Sequence, residues 1–138
     1  MLATIAVGTD GSATASKAVE VAADMARRFD ARLVLLSALQ GSSSGARGSE
    51  ELQWAHNPDA RVRETLRRTE QELGGQGIEC SSRTDEGDPA DVLVRLAEEC
   101  GADLLVIGNK GMQRRVLGSV PNSVTHKAGC SVLVVKTS

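Results

Sequence analysis

The chain has 138 residues, 41% of them hydrophobic and 25% charged, with a formal net charge of −2. That is one domain's worth of ordinary folded sequence, which argues against two separate cores and against a disordered chain. The slightly acidic balance supplies no global attraction to nucleic acid or acidic lipid; Trp54 and Phe29 are the only aromatics and Tyr is absent, which argues against a module that stacks nucleobases on aromatic platforms.

In chain order, the first expected element is a strand over Thr4–Val7. No basic residue precedes its apolar stretch, and no apolar run in the chain approaches the roughly 18–20 residues of a membrane span, so neither a signal peptide nor a membrane anchor is expected. A helix follows from Ala15 to Phe29. Ala15, Ala18, Ala22, Met25, Ala26 and Phe29 keep helical spacing on one face, and Lys17, Glu20, Asp24, Arg27 and Arg28 on the other. The next strand is Leu33–Leu36. Gln40 to Asn57 is a long Gly/Ser-rich segment of the kind that forms a lid or stays disordered. Within it Gly41-Ser42-Ser43-Ser44-Gly45 formally matches the G-x-S-x-G nucleophile elbow but lacks the strand-to-helix turn that motif needs. Trp54 either anchors the following helix or closes over a bound base.

A second helix spans Pro58–Leu73, opened by Asn57-Pro58 and stopped by Gly74-Gly75. Ile78–Thr84 reads as a weaker strand whose polar content suits a sheet edge. A third helix starts at Asp88-Pro89, buries Ala90, Leu93, Leu96, Ala97 and Cys100, and ends at Gly101. A strand over Leu104–Ile107, a short helix over Ser119–Lys127 and a strand over Val132–Val135 complete the chain. The acidic pair Asp88 and Asp91 reads as a helix-start signal, and His126 and Lys127 as cations at a helix C-terminus. Cys80, Cys100 and Cys130 are odd in number and widely spaced, with no C-x-x-C. They read as small buried hydrophobes in a reduced, cytoplasmic setting. His56 and His126 sit in no metal-ligand spacing.

Strands that read as continuous apolar runs are buried on both faces, and strict alternation with helices implies an α/β fold: a parallel sheet with helices on both sides. Ligands of such sheets bind outside the carboxyl ends of the strands, which directs attention to the turns after strands one, two and four. Gly8-Thr9-Asp10-Gly11-Ser12 follows strand one and projects Asp10 into that crevice, where a carboxylate can accept from a ribose hydroxyl or an amino group, or hold a metal; the alternative reading is a helix-capping turn. Gly108-Asn109-Lys110-Gly111-Met112-Gln113-Arg114-Arg115-Val116-Leu117-Gly118-Ser119-Val120-Pro121-Asn122 follows strand four. Its glycines let the backbone approach a ligand, Ser119 offers a hydroxyl at a helix N-terminus, and Lys110, Arg114 and Arg115 add positive charge, the requirements of phosphate binding. It is neither a Walker loop nor a dinucleotide fingerprint.

These two blocks, with Ala-Asp-Leu-Leu-Val-Ile before the second and Cys-Ser-Val-Leu-Val-Val after it, resemble the universal stress protein family over essentially the whole chain. The resemblance implies one domain over residues 1–138, a three-layer open parallel sheet of five strands in the order 3-2-1-4-5 with helices on both faces, and, for the nucleotide-binding branch, a site for ATP, AMP or cyclic AMP. Thr9 and Asp10 would lie on the ribose and adenine side and the backbone of Ala38 and Leu39 at the adenine edge. Gly108 and Gly111, with Asn109 between them, would pass close to ribose and phosphates, and Gly118, Ser119 and Val120 would bind phosphate. Asp10 is the candidate contact for Mg accompanying a triphosphate; no residue stands out as a catalytic base. Only six residues, Met112 to Leu117, separate Gly111 from Gly118 where the family has nine, a shortening that implies a monophosphate or cyclic nucleotide or the loss of tight binding.

The resemblance also implies a homodimer through strand five, Val132 to Val135, since so apolar an edge needs cover. The functional expectation is a cytoplasmic stress-response regulator that binds an adenine nucleotide, without nucleic-acid or membrane partners. The alternatives are a slow nucleotide hydrolase or nucleotidyl-transfer enzyme, and a protein-interaction dimer without nucleotide.

Overall fold

The computed structural model describes residues 2–10, 13–41, 58–109 and 118–136. Among these, nine elements alternate in type: β1 (Thr4–Gly8), α1 (Ala13–Phe29), β2 (Arg32–Leu39), α2 (Pro58–Gly75), β3 (Cys80–Glu86), α3 (Pro89–Glu99), β4 (Leu104–Asn109), α4 (Ser119–Lys127) and β5 (Ser131–Lys136). All strand pairings are parallel. The sheet order is β3-β2-β1-β4-β5, as the resemblance implies.

Because successive side chains of a strand point to opposite faces, the apolar runs divide residue by residue between two cores. Ile5, Val7, Leu33, Leu35 and Val106 lie under α1 and α2 with Ala18, Ala22, Ala26, Leu66 and Leu73. Ala6, Val34, Leu36, Leu105 and Ile107 lie under α3 and α4 with Leu93, Leu96, Ala97 and Val124. The alanine stripe of α1 sets its backbone close to the central strands, where a larger side chain would hold it off.

Two expectations shift. Phe29 does not join the core: it is 54% exposed. The buried stripe of α1 closes at Ala26, whose carbonyl accepts the Ala31 N–H at 2.9 Å while Asp30 turns the chain at φ 54°, so the last turn carries Phe29 away from the sheet. The third strand begins at Cys80, not Ile78. The Ile78 N–H returns to the Leu73 carbonyl at the end of α2, which spends Ile78 on the turn and buries its side chain in the first core. As its composition suggests, β3 is an edge.

The amino ends of the strands are tied by charged side chains. Asp103 accepts the N–H groups of Ala3 and Thr4 at 2.9 and 3.0 Å, and the Arg32 guanidinium donates to Thr4 Oγ1 and the Cys100 carbonyl, both at 2.8 Å. The hydrogen bonds from Thr4 and Ala3 hold the Asp103 pKa below its ordinary value of 3.8. A carboxylate so lowered stabilises the fold at pH values above 3.8, and that contribution is lost as pH falls through the lowered value. Asp103→Ala is therefore expected to lower the Tm at pH 7, with its gap to the wild type closing below about pH 4, as measured by thermal melts across an acid pH series.

Candidate functional site

β1, β2 and β4 end on the same side of the sheet, and their exits enclose a cleft of about 390 Å³. That volume falls in the range of small-molecule sites, roughly 300–1,000 Å³. Of the residues expected at a ligand site, Thr9, Asp10, Ala38, Gly108, Gly118, Ser119 and Val120 line it. Leu39 and Asn109 do not, and Gly111 lies outside the described residues, as do Gly11, Ser12, Trp54, His56, Lys110, Arg114 and Arg115.

The β1 wall is set by two neighbours. The Thr9 N–H donates to the Leu36 carbonyl at 2.9 Å, the last rung between β1 and β2. The Thr9 carbonyl, one step on, accepts the hydroxyl of Ser37 at 2.6 Å. Ser37 is 1% exposed, so this bond satisfies a polar group that would otherwise be buried at a cost. Gly8 lies beneath: a Cβ there would stand 3.0 and 3.2 Å from the two methyls of Leu93, so its absence lets the second core close up to the cleft floor. Leu93, Ile107, Pro89 and Pro121 make that floor apolar.

At the β2 wall, alternation decides which peptide groups meet the cleft. The Leu36 carbonyl points to β1, and the Leu39 carbonyl points the other way, accepting the Gly87 N–H at 3.3 Å. The peptide groups of Ala38 therefore face the β1 side, beyond the last registered pair Gly8–Leu36. Leu39 is buried, its side chain in the protein and its carbonyl engaged with Gly87.

The third wall is the start of α4. Gly118 is its N-cap, in extended conformation, and no acidic residue occupies the first turn, whereas His126 and Lys127 occupy the last. This charge distribution leaves the amino end electropositive. Pro121 stands in the first turn, where a missing N–H costs nothing. The first-turn amides that lack intrahelical acceptors belong to residues lining the cleft. Asn109, 3% exposed and not part of the cleft lining, has its side chain engaged: Oδ1 accepts the Gly118 N–H at 2.8 Å, joining the end of β4 to the start of α4.

Sequence reasoning overlooked Ser37 and the apolar floor. A single Ser inside Leu33-Val34-Leu35-Leu36-Ser37-Ala38-Leu39 was the available signal for the first. No group of three or more His, Cys, Asp or Glu side chains capable of holding a metal occurs among the described residues, and no described helix is long and apolar enough to cross a membrane. The three cysteines are free thiols. Burial, with a smaller contribution from the charge of Glu70, pushes the Cys80 pKa up to about 11, which makes it a poor nucleophile at neutral pH.

An open parallel sheet with a glycine-lined cleft at the exits of β1 and β4, backed by a helix N-terminus, defines an α/β domain of the doubly wound type. The model of the universal stress protein family matches residues 1–136, and this chain belongs to that family. It is 37% identical over 142 residues to universal stress protein Rv1636 of Mycobacterium tuberculosis, covering 98% of this chain and 97% of that one. A universal stress protein solved in complex with cAMP superposes with a TM-score of 0.78 at 35% identity, covering 99% of both chains. The universal stress protein of Archaeoglobus fulgidus in complex with dAMP gives 0.71 at 25% identity, covering 99% of this chain and all of that one.

Removing the Ser37 hydroxyl leaves the Thr9 carbonyl without that partner. Ser37→Ala is expected to cost about 1–2 kcal/mol while retaining the fold, as measured by urea unfolding.

Proposed function

We propose that this protein binds an adenine nucleotide in the cleft and acts as a cytoplasmic stress-response regulator through that occupancy. The observation that carries the reading is the pairing of two unlike walls across one cleft. On one side, Ala38 presents strand-end peptide groups suited to a base edge. On the other, Gly108, Gly118 and Ser119 bring backbone and a hydroxyl to the electropositive start of α4, suited to a phosphate. Thr9 and Asp10 lie between them, within reach of a ribose, and the apolar floor of Leu93 and Ile107 accepts the flat faces of base and sugar. Gly111 and Asn109 belong to the same connection, Gly111 as a close-approach glycine and Asn109 as the tie that seats Gly118.

The adenine-nucleotide complexes of two related universal stress proteins support this reading, and the cAMP complex favours a nucleotide with a single phosphate. So does the six-residue spacing of Gly111 and Gly118. Where a triphosphate binds, Asp10 is the carboxylate on the cleft rim that could meet its Mg. Calorimetric titration of the nucleotide-free protein is expected to give saturable cAMP or AMP binding. Ser119→Ala should weaken it about tenfold, near 1.4 kcal/mol for one hydrogen bond to a charged group. An absence of binding at millimolar ligand would refute the reading.

We also propose a homodimer through β5. It is an edge strand on which Val132, Leu133 and Val134 are only partly buried, the kind of edge that other proteins cover. Native mass spectrometry should show a dimer, and Val132→Asp should shift it toward monomer.

A further inference from the structure

We propose that Asp59 is a positioning residue for base recognition: its carboxylate holds the tip of β2, and thereby the orientation of Ala38 at the cleft. The inference rests on the adenine-nucleotide reading above. Asp59 is the one charged residue classed as buried among the described residues, 9% exposed, and it stands in the first turn of α2, outside the cleft lining. Burying a carboxylate is costly unless it is hydrogen-bonded. Here Oδ1 accepts the Gln40 N–H and Oδ2 the Gly41 N–H, both at 2.8 Å.

Those two amides follow directly on the strand segment that meets the cleft. Gly41 turns the chain at φ 97°, and a Cβ there would stand 3.2 Å from a carboxylate oxygen of Glu86. The adjacent Leu39 carbonyl accepts the Gly87 N–H. The tip of β2 is thus fastened by α2 and by the end of β3, through Asp59 and Gly87, neither of which lines the cleft. β1 gives it no registered pair beyond Leu36.

Fixing the tip has a consequence for selectivity. The Watson–Crick edge of adenine offers an amino donor and a ring-nitrogen acceptor; that of guanine offers a carbonyl acceptor and a ring N–H donor. A strand end held in one orientation presents its N–H and C=O in one arrangement and favours one edge. A loosened end can turn to meet either. Losing the Asp59 tie should therefore erode base discrimination, whereas a purely structural role would weaken all nucleotides alike.

The test is calorimetric titration of wild type, Asp59→Asn and Gly41→Ala with cAMP and with cGMP, each protein checked for folding by its thermal melt. Asn at position 59 keeps one acceptor oxygen and loses the other; Ala at position 41 strains the same tip with Asp59 intact. The wild type should prefer cAMP, and Asp59→Asn should narrow that preference at least tenfold. A folded Asp59→Asn that weakens both ligands by the same factor overturns the proposal, as does a wild type that binds both nucleotides equally. If Asp59→Asn does not fold, Gly41→Ala decides: a narrowed preference supports the proposal and an unchanged one overturns it. A wild type that binds neither nucleotide refutes the nucleotide reading itself, a result distinct from the loss of selectivity.

Discussion

Where parallel strands end side by side, their ladder hydrogen bonds stop while the chain is still half buried, and each exit must satisfy its peptide groups some other way. In this protein three buried polar side chains do so. The Ser37 hydroxyl takes the carbonyl of Thr9 at the end of β1. The Asp59 carboxylate takes two amides at the end of β2. The Asn109 carboxamide, at the end of β4, takes the amide of Gly118 at the start of α4. Together with Thr4, these are the polar and charged residues classed as buried among the described ones. Because three of the four hold backbone at the exits that enclose the cleft, polar burial among the described residues is concentrated around it.

The rest of the architecture serves the same end. The central strands carry side chains into two separate cores, so neither face of the sheet can slide without disrupting packing on both. The missing Cβ of Gly8 lets Leu93 reach the cleft floor, which couples the packing of α3 to the shape of the cleft. At the opposite end of the strands Asp103 and Arg32 fasten the amino termini. The sheet is thereby clamped at one end and shaped at the other, a division suited to a rigid scaffold that presents a site on its loops.

Membership of the universal stress protein family gives these features a common context, but the details belong to this chain. Asn109 is an example. In the sequence it stands between close-approach glycines and reads as a ligand contact; in the fold its side chain is engaged in seating α4. Leu39 is similar: its carbonyl turns to Gly87, and Ala38 alone of the pair faces the cleft. The Leu39 difference follows from alternation along a strand, which sends neighbouring peptide groups to opposite sides, whereas Asn109 is claimed by its hydrogen bond to the Gly118 N–H.

The element types and their order were legible in the chain because each depended on local signals: continuous apolar runs such as Leu104–Ile107, the alanine stripe of α1, and Pro and Gly at helix boundaries. The α4 boundaries agree at both ends, since a glycine stands close by on either side, Gly118 before it and Gly129 after it. The placement of β3 was displaced by two residues and Phe29 was assigned to the wrong side, because both depend on where a helix end stands relative to the sheet. The partners of Ser37, Asp59 and Asn109 were not legible, although a lone Ser in an apolar run marked the first of these positions. Each bonds a backbone group on a different element, or across residues that sequence spacing does not bring together. A single polar residue among apolar ones, or in a helix's first turn, acquires its partner only when the strands have assembled and their exits have been brought side by side.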